Sequence, residues 1–151
     1  MEKMMEKILH QLTVLLIFLT ILSACNSTNS GANSNATLDG ITWTLVSLNG
    51  QSVLEGSEVT AVFNQGESQM NGIAGCNNYF ADYTADAGTL SIGTSGATRM
   101  ICADPDGVMQ QEAAFLAALP TITAYQIQGD ILEMNNTAGE SVLTFTVKGG
   151  S

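Results

Sequence analysis

Three cysteine thiols are the most reactive side chains in this 151-residue sequence, and the first lies where acylation would take place. Cys25 directly follows Ala24 at the end of an apolar run over residues 12–22, and two lysines precede that run. A charged segment, an apolar segment and a small residue in this order are typical of an export signal. The run falls short of the roughly 20 apolar residues that span a bilayer. We therefore predict that residues 1–24 are a signal peptide, cleaved between Ala24 and Cys25.

The tetrad Leu22-Ser23-Ala24-Cys25 resembles the bacterial lipobox, in which the cysteine thiol is diacylated and the cysteine becomes the new N-terminus. An ordinary cleaved signal with an unmodified Cys25 is the alternative. Each buried CH2 contributes about 0.8 kcal/mol to membrane partition, and stable attachment takes two chains. We expect lipid on Cys25 to hold the protein in the cell envelope. In a diderm cell the protein would lie at the outer membrane, facing the periplasm. In a monoderm cell it would lie on the outer face of the plasma membrane.

Composition divides the remaining chain into a tether and one domain. Residues 25–37 are rich in Asn and Ser and lack large apolar side chains, which predicts a flexible tether. Residues 38–148 are enough for one domain with its own core. The formal net charge is -10, and Arg99 and Lys148 are the basic residues of this domain. Because nucleic acids and anionic lipids are bound by clustered Lys and Arg, we expect no nucleic-acid partner and no direct docking on lipid.

The single histidine, His10, lies in the predicted signal peptide. The mature chain would therefore lack the histidine of Ser-His-Asp and Cys-His catalytic groups and of histidine zinc sites. We predict no metal site, no cofactor and no enzymatic activity. The lack of histidine does not exclude catalysis by paired carboxylates, as in glycoside hydrolysis.

With Cys25 assigned to lipid, Cys76 and Cys102 are left as an even pair, which suggests a disulfide in an exported domain. Closing a loop of about 27 residues would add roughly 3–4 kcal/mol of stability on the chain-entropy model. The alternative is two buried free thiols that pack as small apolar groups.

One segment has helical rather than strand periodicity. Asp104 and Pro105 precede the sequence VMQQEAAFLAAL, which ends at Pro120. Asp at the N-cap and Pro at the first helical position are typical of a helix start, and a terminal Pro of its end.

Glu112 falls within the apolar stripe of this predicted helix, between Val108 and Phe115. A carboxylate in that position has to be satisfied by hydrogen bonds or by a cation. We expect its partner to be Arg99, in a structural ion pair, or the backbone N–H groups of residues 75–77. The alternative places Glu112 at the edge of the stripe, in water.

The elements that position these residues are mostly strands. Alternating apolar residues indicate the strand segments. Turn signals such as Asn49-Gly50 and Gly129-Asp130 separate them. The predicted strands cover residues 41–45, 59–63, 68–73, 79–84, 89–92, 122–128, 131–135 and 142–147. We predict an α+β fold that is mostly antiparallel, a small curved sheet or partial barrel of about eight strands with one packed helix.

Several motifs together resemble the META domain, the family of the HslJ heat-shock lipoprotein. They are Trp43-x-Leu45, Gly72-x-x-Gly75-Cys76-Asn77-x-Tyr79, Thr98-Arg99-Met100-x-Cys102, Glu112-x-x-Phe115-Leu116-x-x-Leu119 and Tyr125-x-Ile127-x-Gly129-Asp130-x-Leu132. Ile101 departs from the Ala that is more usual in the family. The resemblance implies a compact, β-rich exported domain that is linked to heat shock and novobiocin tolerance, and it implies no known catalytic activity.

These observations favour a membrane-attached, non-catalytic module that binds an envelope protein or supports stress tolerance. A small-molecule binder or a carboxylate-based enzyme is one alternative, and a protease inhibitor is another.

Overall fold

The computed structural model describes residues 37–149, in which ten strands and one α-helix are present. The predicted signal peptide and nearly all of the predicted tether lie outside the described residues. In chain order the elements are β1 (Thr42–Leu48), β2 (Gln51–Ser52), β3 (Thr60–Asn64), β4 (Gln69–Ile73), β5 (Asn78–Asp86), β6 (Thr89–Ile92), β7 (Gly96–Ala97), α1 (Val108–Ala118), a single turn of 3-10 helix (Leu119–Thr121), β8 (Ile122–Gln128), β9 (Ile131–Asn136) and β10 (Ser141–Val147).

Eight of the strands close into an antiparallel barrel, in the order β1, β3, β4, β5, β6, β8, β9 and β10. Pairing of β10 with β1 completes the circle, with register from Trp43 opposite Val147 to Leu48 opposite Leu143. The predicted sheet or partial barrel is thus a closed barrel. The short strands β2 and β7 lie outside it, against β1 and β5.

The seam between β6 and β8 is much thinner. Within the described chain these strands share one register pair, Thr89 with Ala124. A backbone bond beside this pair crosses the seam, from the N–H of Tyr125 to the carbonyl of Gly88 at 2.8 Å.

Alternation along the strands fills the interior. In β5, Tyr79, Ala81 and Tyr83 are buried while their neighbours are exposed, as period-2 side-chain geometry requires. The largest buried side chains include Trp43 and Phe145. Burial of this continuous apolar set is the main stabilising contribution to the barrel.

The helix covers one end of the barrel, which we call the helix end. It is the end where β4 leads into β5 and where β8 begins. Phe115 on α1 inserts its ring between core aromatics, with its centroid 5.2 Å from that of Tyr79 and 6.5 Å from that of Phe145. The amide of Gln111 bonds to Ser57 and Leu54, which fastens the helix to the segment between β2 and β3.

The helix begins later than the sequence indicates. Its N-cap is Gly107, with φ of 87°, and no side chain caps it, so the predicted cap at Asp104 and first-turn position for Pro105 are wrong. The N–H of Val108 bonds instead to the carbonyl of Pro105, in a turn that precedes the helix. Glycine at residue 107 readily adopts the left-handed conformation that is found at this helix start.

Gly72 lies where two backbones come very close. A Cβ on this residue would stand 2.1 Å from the carbonyl oxygen of Thr60 on the neighbouring segment. The fourth position of β4 therefore has room for glycine alone.

The described chain enters at the opposite end, which we call the N-terminal end. Leu38 is buried there and its carbonyl accepts a bond from the indole of Trp43 at 3.4 Å. Asp39 bridges to Phe63 at the far end of β3. The helix and the first described residues therefore occupy opposite ends of the barrel.

Within residues 37–149, no helix has the length and apolar character needed to span a membrane.

Candidate functional site

A buried carboxylate organises the helix end. Glu112 is 6% exposed, because it lies on the side of α1 that faces the barrel together with Val108 and Phe115. Its Oε2 accepts the backbone N–H groups of Cys76 at 3.2 Å and Asn77 at 2.7 Å. Its Oε1 accepts the side-chain amide of Asn77 at 2.7 Å. The carboxylate thus binds the turn between β4 and β5, and bonds to a charged acceptor are the stronger kind.

Asn77 connects Glu112 to a neighbouring segment of the chain. Asn77 is 1% exposed, and its side chain forms hydrogen bonds with the residues on both sides of Arg99. Its Oδ1 accepts the hydroxyl of Thr98 and the backbone N–H of Met100, both at 2.7 Å. Its Nδ2 donates to the carbonyl of Met100 at 3.1 Å. Every polar atom of the Asn77 side chain is therefore committed to holding residues 98–100 or Glu112.

A disulfide holds the same segment at its far end. The Sγ atoms of Cys76 and Cys102 are 2.08 Å apart, and their Cα atoms are 5.9 Å apart. Since Cys76 adjoins Asn77, the covalent link and the amide bonds start from one turn. We call residues 98–102 the pinned loop.

Two apolar side chains of the pinned loop point into solvent. Ile101 is 92% exposed and Met100 is 53% exposed. Arg99 is exposed beside them. Phe80, 55% exposed, lies on the adjoining β5 opposite Gly96 of β7. An exposed loop with a fixed backbone loses little conformational entropy on binding, which is the property of a pre-organised recognition element.

Glu112 and Arg99 do not form the predicted ion pair. Glu112 is held by the turn at residues 76–77, which is the backbone alternative, and the prediction of Arg99 as its partner is wrong. A carboxylate with several backbone donors within reach needs no cation. The ion pair found within residues 37–149 joins Lys148 to Glu58, at 2.8 Å between exposed side chains.

Sequence reasoning missed Asn77 as the central residue. Its signal is the Gly-Cys-Asn sequence, which placed the residue in a turn without showing that its amide would be buried. The predicted pair Cys76 and Cys102 is brought together, and Cys25 with Ala24 lies outside the described residues.

The carboxylate oxygens of Glu112 are used to hold the turn between β4 and β5. All the hydrogen-bonding contacts of Glu112 are with donors of residues 76 and 77. No group of three or more His, Cys, Asp or Glu suited to a metal ion occurs in the part of the chain that the structure describes.

A cavity of about 590 Å³ lies at the N-terminal end. Its lining is polar and aromatic and includes Asp39, Gln65, Tyr83 and Tyr125. Burial raises the pKa of the Tyr83 hydroxyl, and the nearby Asp39 and Tyr125 raise it further. The Tyr83 hydroxyl therefore holds its proton more strongly than an exposed tyrosine does.

Comparison with known proteins gives a family and two similar structures. The family described as META domain matches residues 36–149. An NMR structure of a protein from Burkholderia xenovorans is 30% identical, with a TM-score of 0.58 and coverage of 75% of this chain and 85% of that one. A second NMR structure is 19% identical, also at a TM-score of 0.58, and covers 75% of this chain and 96% of that one. The curated proteins give no match.

Proposed function

The chain belongs to the META domain family, and from that premise we propose that it is a lipid-anchored, non-catalytic protein of the cell envelope. In this proposal its domain binds a protein partner through the pinned loop and so supports tolerance of envelope stress. The observation that carries the proposal is the contrast within that loop. Its backbone is fixed by Asn77 and a disulfide, while Ile101 is almost fully exposed.

Exposed apolar side chains on a rigid support are characteristic of protein-binding surfaces. Interfaces gain most of their affinity from a few anchoring side chains that fill pockets on the partner. A flexible loop would lose that gain in ordering its backbone, whereas this loop is ordered before it binds. Net charge of -10 supports solubility of the remaining surface.

Lipid attachment is supported by the sequence around Cys25 alone. Labelling cells with a radioactive or clickable palmitate tests it directly. We expect label on the wild-type chain and none on the Cys25→Ser variant. Label on both, or on neither, would contradict the anchoring part of the proposal.

Partner binding is tested by site-specific photo-crosslinking in the intact envelope, followed by mass spectrometry. A photoreactive residue at position 101 should capture one protein partner at high yield. The matched control is position 46, because Val46 is also exposed and apolar but lies on the outer face of β1. Equal capture at both positions, or none at position 101, would contradict a role for the pinned loop.

The cavity at the N-terminal end favours a second candidate function, binding of a small molecule. Its volume of about 590 Å³ lies in the range of ligand pockets, and barrel mouths are frequent sites for them. Mass spectrometry of the protein under native conditions, as isolated from the envelope, should reveal a bound metabolite if this function holds.

A further inference from the structure

Within the pinned loop, the two residues on either side of Arg99 are held by hydrogen bonds, whereas the backbone of Arg99 is not. Thr98 bonds through its N–H to the carbonyl of Asn78 and through its hydroxyl to Asn77. Met100 bonds through both its N–H and its carbonyl to Asn77. Among residues 37–149, no hydrogen bond uses the N–H or carbonyl of Arg99. Arg99 thus lies between two residues whose backbone is held by hydrogen bonds.

The backbone leading into this segment is a strand, and the segment itself avoids left-handed conformations. The ladder of β5 and β7 runs directly into it, since Ala97 pairs with Tyr79. No residue from 98 to 102 has a positive φ. The Arg99 side chain is exposed, so both the side chain and its backbone are accessible to a partner.

We propose that the pinned loop is a substrate-like inhibitory segment for serine proteases with a carboxylate in their specificity pocket. Arg99 enters that pocket, and its carbonyl faces the catalytic serine and the oxyanion donors. This deepens the proposed function and rests on it in one respect, that the partner of the loop is a protein. Proteases of this class select Arg by an aspartate in the pocket.

The geometry also explains why such a segment would inhibit rather than be consumed. Attack of the protease serine oxygen on the Arg99 carbonyl forms an ester to Arg99 and breaks the bond to the nitrogen of Met100, which leaves as an amine carrying the proton from the serine hydroxyl. That amine stays in place because Asn77 holds Met100 and the disulfide holds Cys102. It can therefore attack the ester, re-form the peptide bond and release the serine hydroxyl before water enters. Hydrolysis, when it occurs, adds one water and leaves a carboxylate on Arg99 and an ammonium on Met100.

Charge and position favour a protease over a lipid surface or a second copy of this chain. A net charge of -10 repels both an anionic bilayer and an identical molecule. Arg99 is the cation of the loop and matches a carboxylate pocket. The loop follows β7 at the helix end, whereas the described chain starts at the N-terminal end.

Inhibition of trypsin and of other arginine-specific serine proteases by the purified, oxidised protein tests the proposal. We expect stoichiometric inhibition, weakened about 30-fold or more by Arg99→Ala, because a buried charge pair would lose one partner. Lys148→Ala, which removes the other cation of the described domain, is the matched control and should leave inhibition unchanged. Arg99→Phe should transfer inhibition to chymotrypsin, whose pocket is apolar.

The pinning itself is tested by Thr98→Val, which preserves the shape of an exposed residue and removes its bond to Asn77. We expect inhibition to weaken about fivefold, the equivalent of one neutral hydrogen bond. Slow cleavage at Arg99 should leave a single band that separates into two fragments only after reduction, because Cys76 and Cys102 lie on opposite sides of the cut.

Absence of inhibition, inhibition that survives Arg99→Ala, or rapid turnover at Arg99 would each overturn the inference. The proposed function is tested separately by crosslinking from position 101. Capture of a protein that is not a protease would retain partner binding and reject inhibition, whereas no capture would reject both.

Discussion

Replacement of Glu112 by Ala is the most direct perturbation of the helix end. It removes two carboxylate oxygens that accept three hydrogen bonds, from the N–H groups of Cys76 and Asn77 and from the Asn77 side chain. A buried donor left without an acceptor costs about 1–3 kcal/mol. The three losses share neighbours and are not additive. We expect the free energy of unfolding to fall by about 3–5 kcal/mol.

For a domain of this size that loss corresponds to a decrease in melting temperature of about 12–20 °C. Thermal and denaturant unfolding of the oxidised protein measure it. Gln110→Ala is the matched control, because Gln110 lies on the same helix with its side chain exposed, and its effect should stay within about 0.5 kcal/mol. A decrease of less than about 3 °C for Glu112→Ala would refute the reasoning.

Glu112→Gln distinguishes the hydrogen bonds from simple packing. The amide keeps one acceptor for the two backbone N–H groups but turns a donor toward the donor of Asn77. Rotation of Asn77 would not repair this contact, because its oxygen already accepts from Thr98 and Met100. We expect a loss of about 1–3 kcal/mol, smaller than that of the Ala variant. Equal losses would mean that charge, rather than acceptor geometry, holds the turn.

Three further outcomes follow from the contacts described. Replacing both Cys76 and Cys102 by Ser should lower the free energy of unfolding by about 3–4 kcal/mol in denaturant titrations. Gly72→Ala should destabilise by about 3 kcal/mol or more, because the Cβ meets a backbone carbonyl at 2.1 Å, whereas Gly66→Ala, with its nearest atom at 3.5 Å, should be nearly neutral by the same titration. Burial raises the pKa of Tyr79 above its ordinary value of 10.0. The unfolded chain therefore loses that proton first, so the contribution of Tyr79 to stability should be constant below about pH 10 and fall above it by up to about 1.4 kcal/mol per pH unit, a slope that Tyr79→Phe should reduce.

Local sequence signals account for most of the strands. The Asn49-Gly50 turn gives a two-residue hairpin with positive φ at both residues, as predicted for this pair. Alternating apolar residues predict strand segments because each side of a strand meets a uniform environment. Closure of the barrel could not be read from such signals, since β1 and β10 lie at opposite ends of the domain sequence.

The helix end was predictable only in part. The position of Glu112 in an apolar stripe indicated a buried, satisfied carboxylate, and an even pair of cysteines indicated a crosslink. The identity of the donors depends on which loops meet at one end of the barrel, and that is a property of the topology. The sequence leaves Arg99 and the backbone of residues 75–77 as alternatives, because opposite charge is visible in a sequence whereas the convergence of backbone N–H groups on one point is not.

The uneven closure of the barrel determines where it opens. Parting of β6 from β8 requires loss of few backbone bonds, while β1 and β10 are joined along nearly their whole length. Local opening at this seam would convert the barrel into a curved sheet with two free edges, which are templates for association with another chain. Hydrogen exchange should therefore be faster for the amide of Tyr125 than for the amides of β10. Partial unfolding under heat would begin at this seam and make edge-to-edge aggregation its first consequence.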